Sequence, residues 1–268
     1  MPDTSAAIER GRQTERLAHA VREGGALALK TFRGTVKTWT KGKDSPVSEA
    51  DIAVNELLHD RLNGAAFGWL SEESVDDARR LAARQVWVVD PIDGTRAYLA
   101  GLPDWTIAAA LVENGRPVAA AIFAPVADEL FTATAGGGAW CNGVAMTATG
   151  GNALDGARLA GPRGFLERLR EASPAIVATP RVHSLALRFT RVAQGTLDAA
   201  IASGNSHDWD LAAADLLVHE AGGLLTTFSG RALIYNQPET VHEPLVAAGR
   251  DRHEQLIGLV QARRITFG

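Results

Sequence analysis

The segment that most restricts this chain is Trp87-Val88-Val89-Asp90-Pro91-Ile92-Asp93-Gly94-Thr95. A short apolar run reads as a buried strand. It ends in two carboxylates three residues apart, with a proline between them and Gly94-Thr95 behind. Asp-Pro and Asp-Gly each favour turns, so a hairpin is the plain reading. A hairpin should return in an alternating strand, however, and Arg96-Ala97-Tyr98-Leu99-Ala100-Gly101 does not alternate. Strand, acidic turn and short helix is the better parse. It places Asp90 and Asp93 at the carboxyl end of a strand, where α/β folds gather ligands. It also places the amides of Gly94 and Thr95 at a helix N-terminus, which attracts anions. Two carboxylates beside anion-seeking amides make chemical sense if a divalent cation joins carboxylate to phosphate.

The rest of the chain alternates helix and strand. Residues 4–32 carry apolar positions at helical spacing, and 35–39 alternates like a strand. Ser48 is placed to cap a helix running to about 62, with acidic residues in its first turn. Asn114-Gly115 joins two apolar strands, the strongest short hairpin signal, and one or two more strands follow in 128–143. The small, Gly-rich stretch 147–156 reads as a boundary between an N-terminal half, residues 1–150, that holds the metal site and a C-terminal half, 151–268, that closes a substrate cleft. Beyond it come a helix at about 183–194 closed by Gly195, a strand near 197–203, and a helix at about 209–220 closed by Gly222-Gly223. A last strand and helix finish the chain. The expected class is α/β, with sheets and helices in layers.

Bulk properties narrow the function. A net charge of -4 gives no reason to expect a nucleic-acid polymer or an anionic membrane as partner. The single cysteine, Cys141, rules out an internal disulfide framework and suits a reducing cytoplasm. The N-terminus is charged without an apolar stretch, and no run approaches the roughly 18 apolar residues of a membrane span.

Other acids join the two in the turn. Glu72-Glu73 ends an apolar stretch, Asp208 and Asp210 open a helix around Trp209, and Asp51 lies in the first turn of the helix after Ser48. Acidic residues are favoured in first turns by the helix dipole alone, so none of these is informative by itself. Their co-occurrence with residues 90–95 is. The histidines are scattered without a metal-ligand spacing. A capping or surface role is the plainer reading for His183 and His207, and packing the plainer reading for Cys141.

Taken together, Ser45–Asp51, Ser71–Ser74, Trp87–Thr95 and Trp209–Gly223, in that order, resemble the inositol monophosphatase family of magnesium-dependent, lithium-sensitive phosphatases, which includes bisphosphate nucleotidases and some histidinol-phosphate phosphatases. The resemblance covers roughly residues 40–225. It implies an αβαβα sandwich and hydrolysis of a small phosphorylated metabolite with two or three Mg²⁺ ions. Metal ligands would be Glu72, Asp90, the carbonyl of Ile92, Asp93 and Asp210. Asp51 and Thr95 would position the attacking water, with Glu72 sharing in catalysis through its metal, and Gly94 and Thr95 would cradle the phosphate. Glu73 and Asp208 receive no role in this transfer. Many relatives are homodimers, though no segment here marks an interface. A non-catalytic, phosphate- or metal-binding member is the competing class, and the presence of every required side chain argues against it.

The substrate is less legible. Where inositol phosphatases carry a glutamate seven residues before the helix aspartate, this chain has Ser203, and the usual Gly-Ser before the preceding helix is His183-Ser184. Arg188 resembles in position a lysine of bisphosphate nucleotidases, one helical turn from Ser184. Ser184, Arg188 and Ser203 are therefore the candidate substrate contacts. A bisphosphate nucleotide or histidinol phosphate is the alternative to an inositol phosphate.

Overall fold

The computed structural model describes residues 4–42 and 45–263. Its helices are α1 (Thr4–Leu29), α2 (Glu49–Leu62), α3 (Thr95–Leu99), α4 (Arg163–Ala172), α5 (Leu185–Ala193), α6 (Asp208–Glu220) and α7 (Arg250–Arg263). A seven-stranded sheet runs in chain order through Phe67–Ser71, Gln85–Asp93, Thr106–Glu113, Arg116–Ala124, Glu129–Thr134, Gly138–Cys141 and Val144–Ala145. Its first pair is parallel and the others antiparallel. Asn114 and Gly115 make the expected tight turn, with φ of 51° and 77°.

Alternation along these strands creates two buried faces. Trp87, Val89, Ile107, Ala109 and Leu111 pack against α1 and α2 through Leu17, Val21, Val54 and Leu58. Val86, Val88, Ala108 and Ala110 point the other way, onto α5 and α6. Those two helices are buried on both sides. Across them lies a five-stranded sheet in the order Val177–Ala178, Arg158–Ala160, Ala199–Ala202, Leu245–Gly249, Gly223–Thr227. Its inner face joins the α5–α6 core through Ala200, Ala202 and Ala247. Its outer face carries Leu159, Ile201 and Val246 against Phe165 and Leu169 of α4 and Leu256 and Val260 of α7. The layers run helix, sheet, helix, sheet, helix, the αβαβα sandwich that the sequence led one to expect.

Several local expectations shift. The strand expected to stop at Asp90 continues to Asp93, and the acidic turn is an irregularity inside it. The strand near 35–39 is displaced to Thr38–Lys41, and the last strand is accompanied by Gly223–Thr227, which pairs with it. Helix α4 and the short strands beside it had no counterpart in the sequence reading. Pro162 and Gly164 look like loop punctuation, yet a proline at the head of a helix costs nothing, because the amide it lacks would have no partner there.

Candidate active site

The sheet delivers its two acids through a β-bulge. Asp90 lies opposite Ala108 and Asp93 opposite Thr106, three residues against two. Pro91 occupies the irregular stretch, where a residue without an amide proton sacrifices no ladder bond. The bulge brings both side chains to one end of the strand, and both are buried, with exposures of 1% and 6%. Gly94 follows with φ of +92°, and a Cβ there would sit 3.3 Å from the Ser184 nitrogen. Only glycine fits both the backbone angle and the space. Helix α3 then starts at Thr95.

Asp210 arrives from α6, where it is the third residue of the first turn and accepts the His207 N–H at 2.7 Å. Oxygen atoms of Asp90, Asp93 and Asp210 all lie within 4.8 Å of one another. Glu72 adjoins them at the end of the first strand, where its N–H still reaches the Val89 carbonyl at 3.3 Å. Asp51 comes from α2, its carboxylate held by the Ser48 N–H at 2.8 Å and the Ser48 hydroxyl. Thr95 Oγ1 lies 3.1 Å from Asp51 Oδ1 and 3.0 Å from the Ile92 carbonyl, so its single proton has two acceptors.

Charge is concentrated here with only partial compensation, from Lys41 at Glu72 and from Arg188 and hydrogen bonds at Asp93. Burial, then Glu72, Asp93 and Asp210, push the Asp90 carboxyl well above its ordinary range. Burial and then Asp93 do the same to Asp210. Burial and the neighbouring Glu73 raise Glu72 to about 7, and burial raises Asp51 despite the bonds from Ser48. Among the described residues no lysine or arginine forms an ion pair with any of these five acids. Lys41 comes nearest, but its ammonium bonds the Glu72 carbonyl oxygen and pairs with Glu73 at 3.7 Å. Asp93 is the best supported of the five. It accepts the Ser184 hydroxyl and the amides of Leu185 and Ala186 at 3.2 and 2.7 Å, and so caps α5. These bonds temper, without cancelling, the rise that burial causes. Hard oxygen donors, buried and mutually repelling, are the donor set that a divalent cation such as Mg²⁺ takes.

The remaining candidates fall in two places. Gly94 and Thr95 line a cleft of about 1160 Å³ together with Lys41, Arg181 and His183. Ser184 is fully buried behind it, bonded to Asp93 and Thr106. Arg188 and Ser203 instead line a neighbouring cavity, to which Arg181 also contributes. The Arg188 guanidinium is held by the carbonyls of Val182 (2.7 Å) and Ile201 (3.2 Å). Asp208 accepts from Asn236 N–H and lies 2.7 Å from His242, away from the cluster. Sequence spacing singled out neither Lys41 nor the His183–Asp104 pair, at 2.7 Å on the cleft wall. The partners are 79 positions apart, and no local pattern joins them.

Two sheets thus sandwich a shared helical layer, with an acidic pocket where a bulged strand meets α6. The chain belongs to the inositol monophosphatase family, whose model it matches over residues 10–264. It is 33% identical over 201 residues to an inositol-1-monophosphatase of Rhizobium meliloti, covering 71% of this chain and 75% of that one. It is 34% identical over 229 residues to the Nus factor SuhB of Xylella fastidiosa, covering 80% and 81%. The extragenic suppressor protein suhB from Bartonella henselae superposes with a TM-score of 0.82 at 28% identity, over 92% of this chain and 97% of that one. The protein is thus a phosphatase of the inositol monophosphatase type. No helix among the described residues is long and apolar enough to cross a membrane.

Proposed function

We propose that this chain is a Mg²⁺-dependent, Li⁺-sensitive phosphomonoesterase acting in the cytoplasm on a small phosphorylated metabolite, not on a nucleic-acid polymer or a membrane. The observation that carries this reading is the set of carboxylate oxygens of Asp90, Asp93 and Asp210 within 4.8 Å of one another, without an ion-paired cation among the described residues. With Glu72 and the Ile92 carbonyl they would hold two or three Mg²⁺ ions. When bound, the ions supply charge neutralisation and Lewis-acid polarisation of the phosphate.

The chain's own groups would do the rest. Asp51, fixed by Ser48, accepts the Thr95 hydroxyl, which leaves the lone pairs of Oγ1 free to accept from a water molecule. That arrangement aims the water at phosphorus and leaves Asp51 Oδ1 to take up the proton passed through Thr95. Burial raises the basicity of Asp51, which suits that work. The amides of Gly94 and Thr95, on the cleft wall, would receive the phosphate oxygens. The two-halves division near residue 150 and a homodimer are carried as parts of the same reading, from the Gly-rich stretch and the family resemblance respectively.

Turnover of inositol 1-phosphate, adenosine 3′,5′-bisphosphate and histidinol phosphate with Mg²⁺ tests the reading. Activity should vanish in excess EDTA, return with Mg²⁺ and fall with Li⁺. Undiminished turnover in EDTA would overturn it.

A further inference from the structure

Next to the metal pocket lies a cavity of about 680 Å³ lined by Arg163, Arg170, Arg181, Arg188, Glu167 and Ser203, among others. Four guanidiniums face one carboxylate, and that carboxylate is already taken: Arg163 Nε bonds Glu167 at 2.8 Å. The arginines come from three places: α4, the segment before α5, and α5 itself. Their convergence in a chain of net charge -4 is a local inversion of the molecule's electrostatics. Arg170 and Arg181 form no hydrogen bond or ion pair among the described residues, and both are exposed. Arg188 differs. Three of its N–H groups are spent on Val182 and Ile201, which fixes the fork in place and leaves two for another partner.

Crowding like charges around one space costs free energy, and an anion placed between them recovers it. Burial, and in lesser part Arg181, pull Arg188 below the usual guanidinium range, against the opposing pull of Asp93 and Asp104. The floor is short and neutral, because Ser203 stands where a carboxylate would repel an anion. Arg181 lines both this cavity and the cleft containing Gly94 and Thr95, so one ligand can reach from the metal pocket into the arginines.

We infer that this cavity is a subsite for a second anionic group of the substrate, a phosphate or a carboxylate carried on the leaving group. The inference rests on the phosphatase reading, since the acidic pocket takes the phosphate that is hydrolysed. Guanidinium forks suit bidentate contact with either group. The cavity disfavours histidinol phosphate, whose leaving group is cationic, and offers a neutral polyol hydrogen bonds but no charge to match its guanidiniums.

Arg170→Ala and Arg181→Ala, at exposed and unpartnered positions, leave the packing intact. Steady-state kinetics of the wild type and both variants would use adenosine 3′,5′-bisphosphate, 3-phosphoglycerate and inositol 1-phosphate as probes. Each substitution should raise the KM for the doubly anionic probes at least about tenfold more than for inositol 1-phosphate, as expected for loss of one charge-assisted bond. The kcat should be little moved for Arg170→Ala, which lies away from the cleft of Gly94 and Thr95. An effect on both doubly anionic probes assigns the subsite to carboxylate as well as phosphate; an effect on the bisphosphate alone assigns it to phosphate. Equal effects on all three, or a wild-type preference for inositol 1-phosphate, would overturn the inference. Calorimetric binding of adenosine 3′,5′-bisphosphate in EDTA, where nothing turns over, reads the subsite even if no probe is hydrolysed. Weaker binding to both variants supports the subsite whatever becomes of the phosphatase reading, and unchanged binding sinks it.

Discussion

Asp208 and Asp210 sit two residues apart in the first turn of α6, and their surroundings are opposite. Asp208 is fully buried, with one oxygen 2.7 Å from His242 Nε2 and the other accepting the Asn236 N–H at 2.7 Å. Asp210 accepts one N–H from His207 and otherwise faces Asp90 and Asp93. A third acid, Asp198, falls on the side of Asp208. Burial pushes it up, but the Arg158 side chain and amide outweigh burial and bring it down to about 2. Asp208 and Asp198 are buried and Asp210 partly so. What separates Asp208 and Asp198 from Asp210 is whether the fold itself supplies donors and counter-charge. Where it withholds them, the proposed reading supplies the missing partner from outside the chain, as a cation.

The contrast can be broken most sharply by Asp90→Asn against Asp208→Asn. The first should lower kcat/KM by more than about a hundredfold, as loss of a metal ligand does. Its chelated form should be as stable as the wild type or more so, because one repelling charge is gone. The second should cost about 1–3 kcal/mol of stability in urea unfolding, since it weakens bonds to a buried charge. An inactive yet fully stable Asp208→Asn would erase the distinction.

A smaller effect sharpens the assignment within the site. Thr95→Ala should reduce kcat by about a hundredfold through loss of water orientation, with the Mg²⁺ dependence nearly unchanged. If it abolished the Mg²⁺ response instead, Thr95 would belong with the metal ligands.

Mg²⁺ itself should raise the melting temperature of the wild type, by about 2.7 kcal/mol of stabilisation at a hundredfold excess over Kd, and should do little for Asp90→Asn. A shift of equal size in both proteins would place the stabilising ion elsewhere.

The smallest effect concerns the compensated acid. Asp198 has a folded-state value of about 2, below the ordinary aspartate value of 3.8. A carboxylate depressed by folding contributes stability that is complete above the unfolded value and is lost as pH falls through the folded one. The stabilisation that Asp198 gains from Arg158 and its other donors should therefore disappear between about pH 4 and pH 2. Arg158→Ala should flatten that slope of the acid-unfolding curves in part, since the amide of residue 158 still donates to Asp198, and an unchanged slope would show that the guanidinium does not hold Asp198 down.

How much of this was legible in the sequence depends on how far apart the partners lie. Asp90, Asp93 and Gly94 are contiguous, so their meaning was open to local reasoning. The bulge was not, because the register against Ala108 and Thr106 decides it, and a register is a property of two strands. The roles of Asp51, Glu72 and Asp210 came only through family resemblance. Each sits in a first turn or at a strand end, where an acid is ordinary. The arginine cavity had no local signature beyond Arg188, since Arg163, Arg170 and Arg181 converge only after α4 packs on the five-stranded sheet. Helix α4 itself was hidden by Pro162 and Gly164.

Asp93 bonds the start of α5 across 91 positions of chain, while Asp210 waits further along. A ribosome that has released residues 1–150 has therefore made two of the three clustered acids and neither the residues that steady Asp93 nor the last carboxylate. Such a fragment has no complete chelating centre. On the proposed metal site, ion capture would come late in the birth of the molecule, after synthesis has passed α6 and the layers have closed. The enzyme would then be inert towards phosphoesters until it is whole.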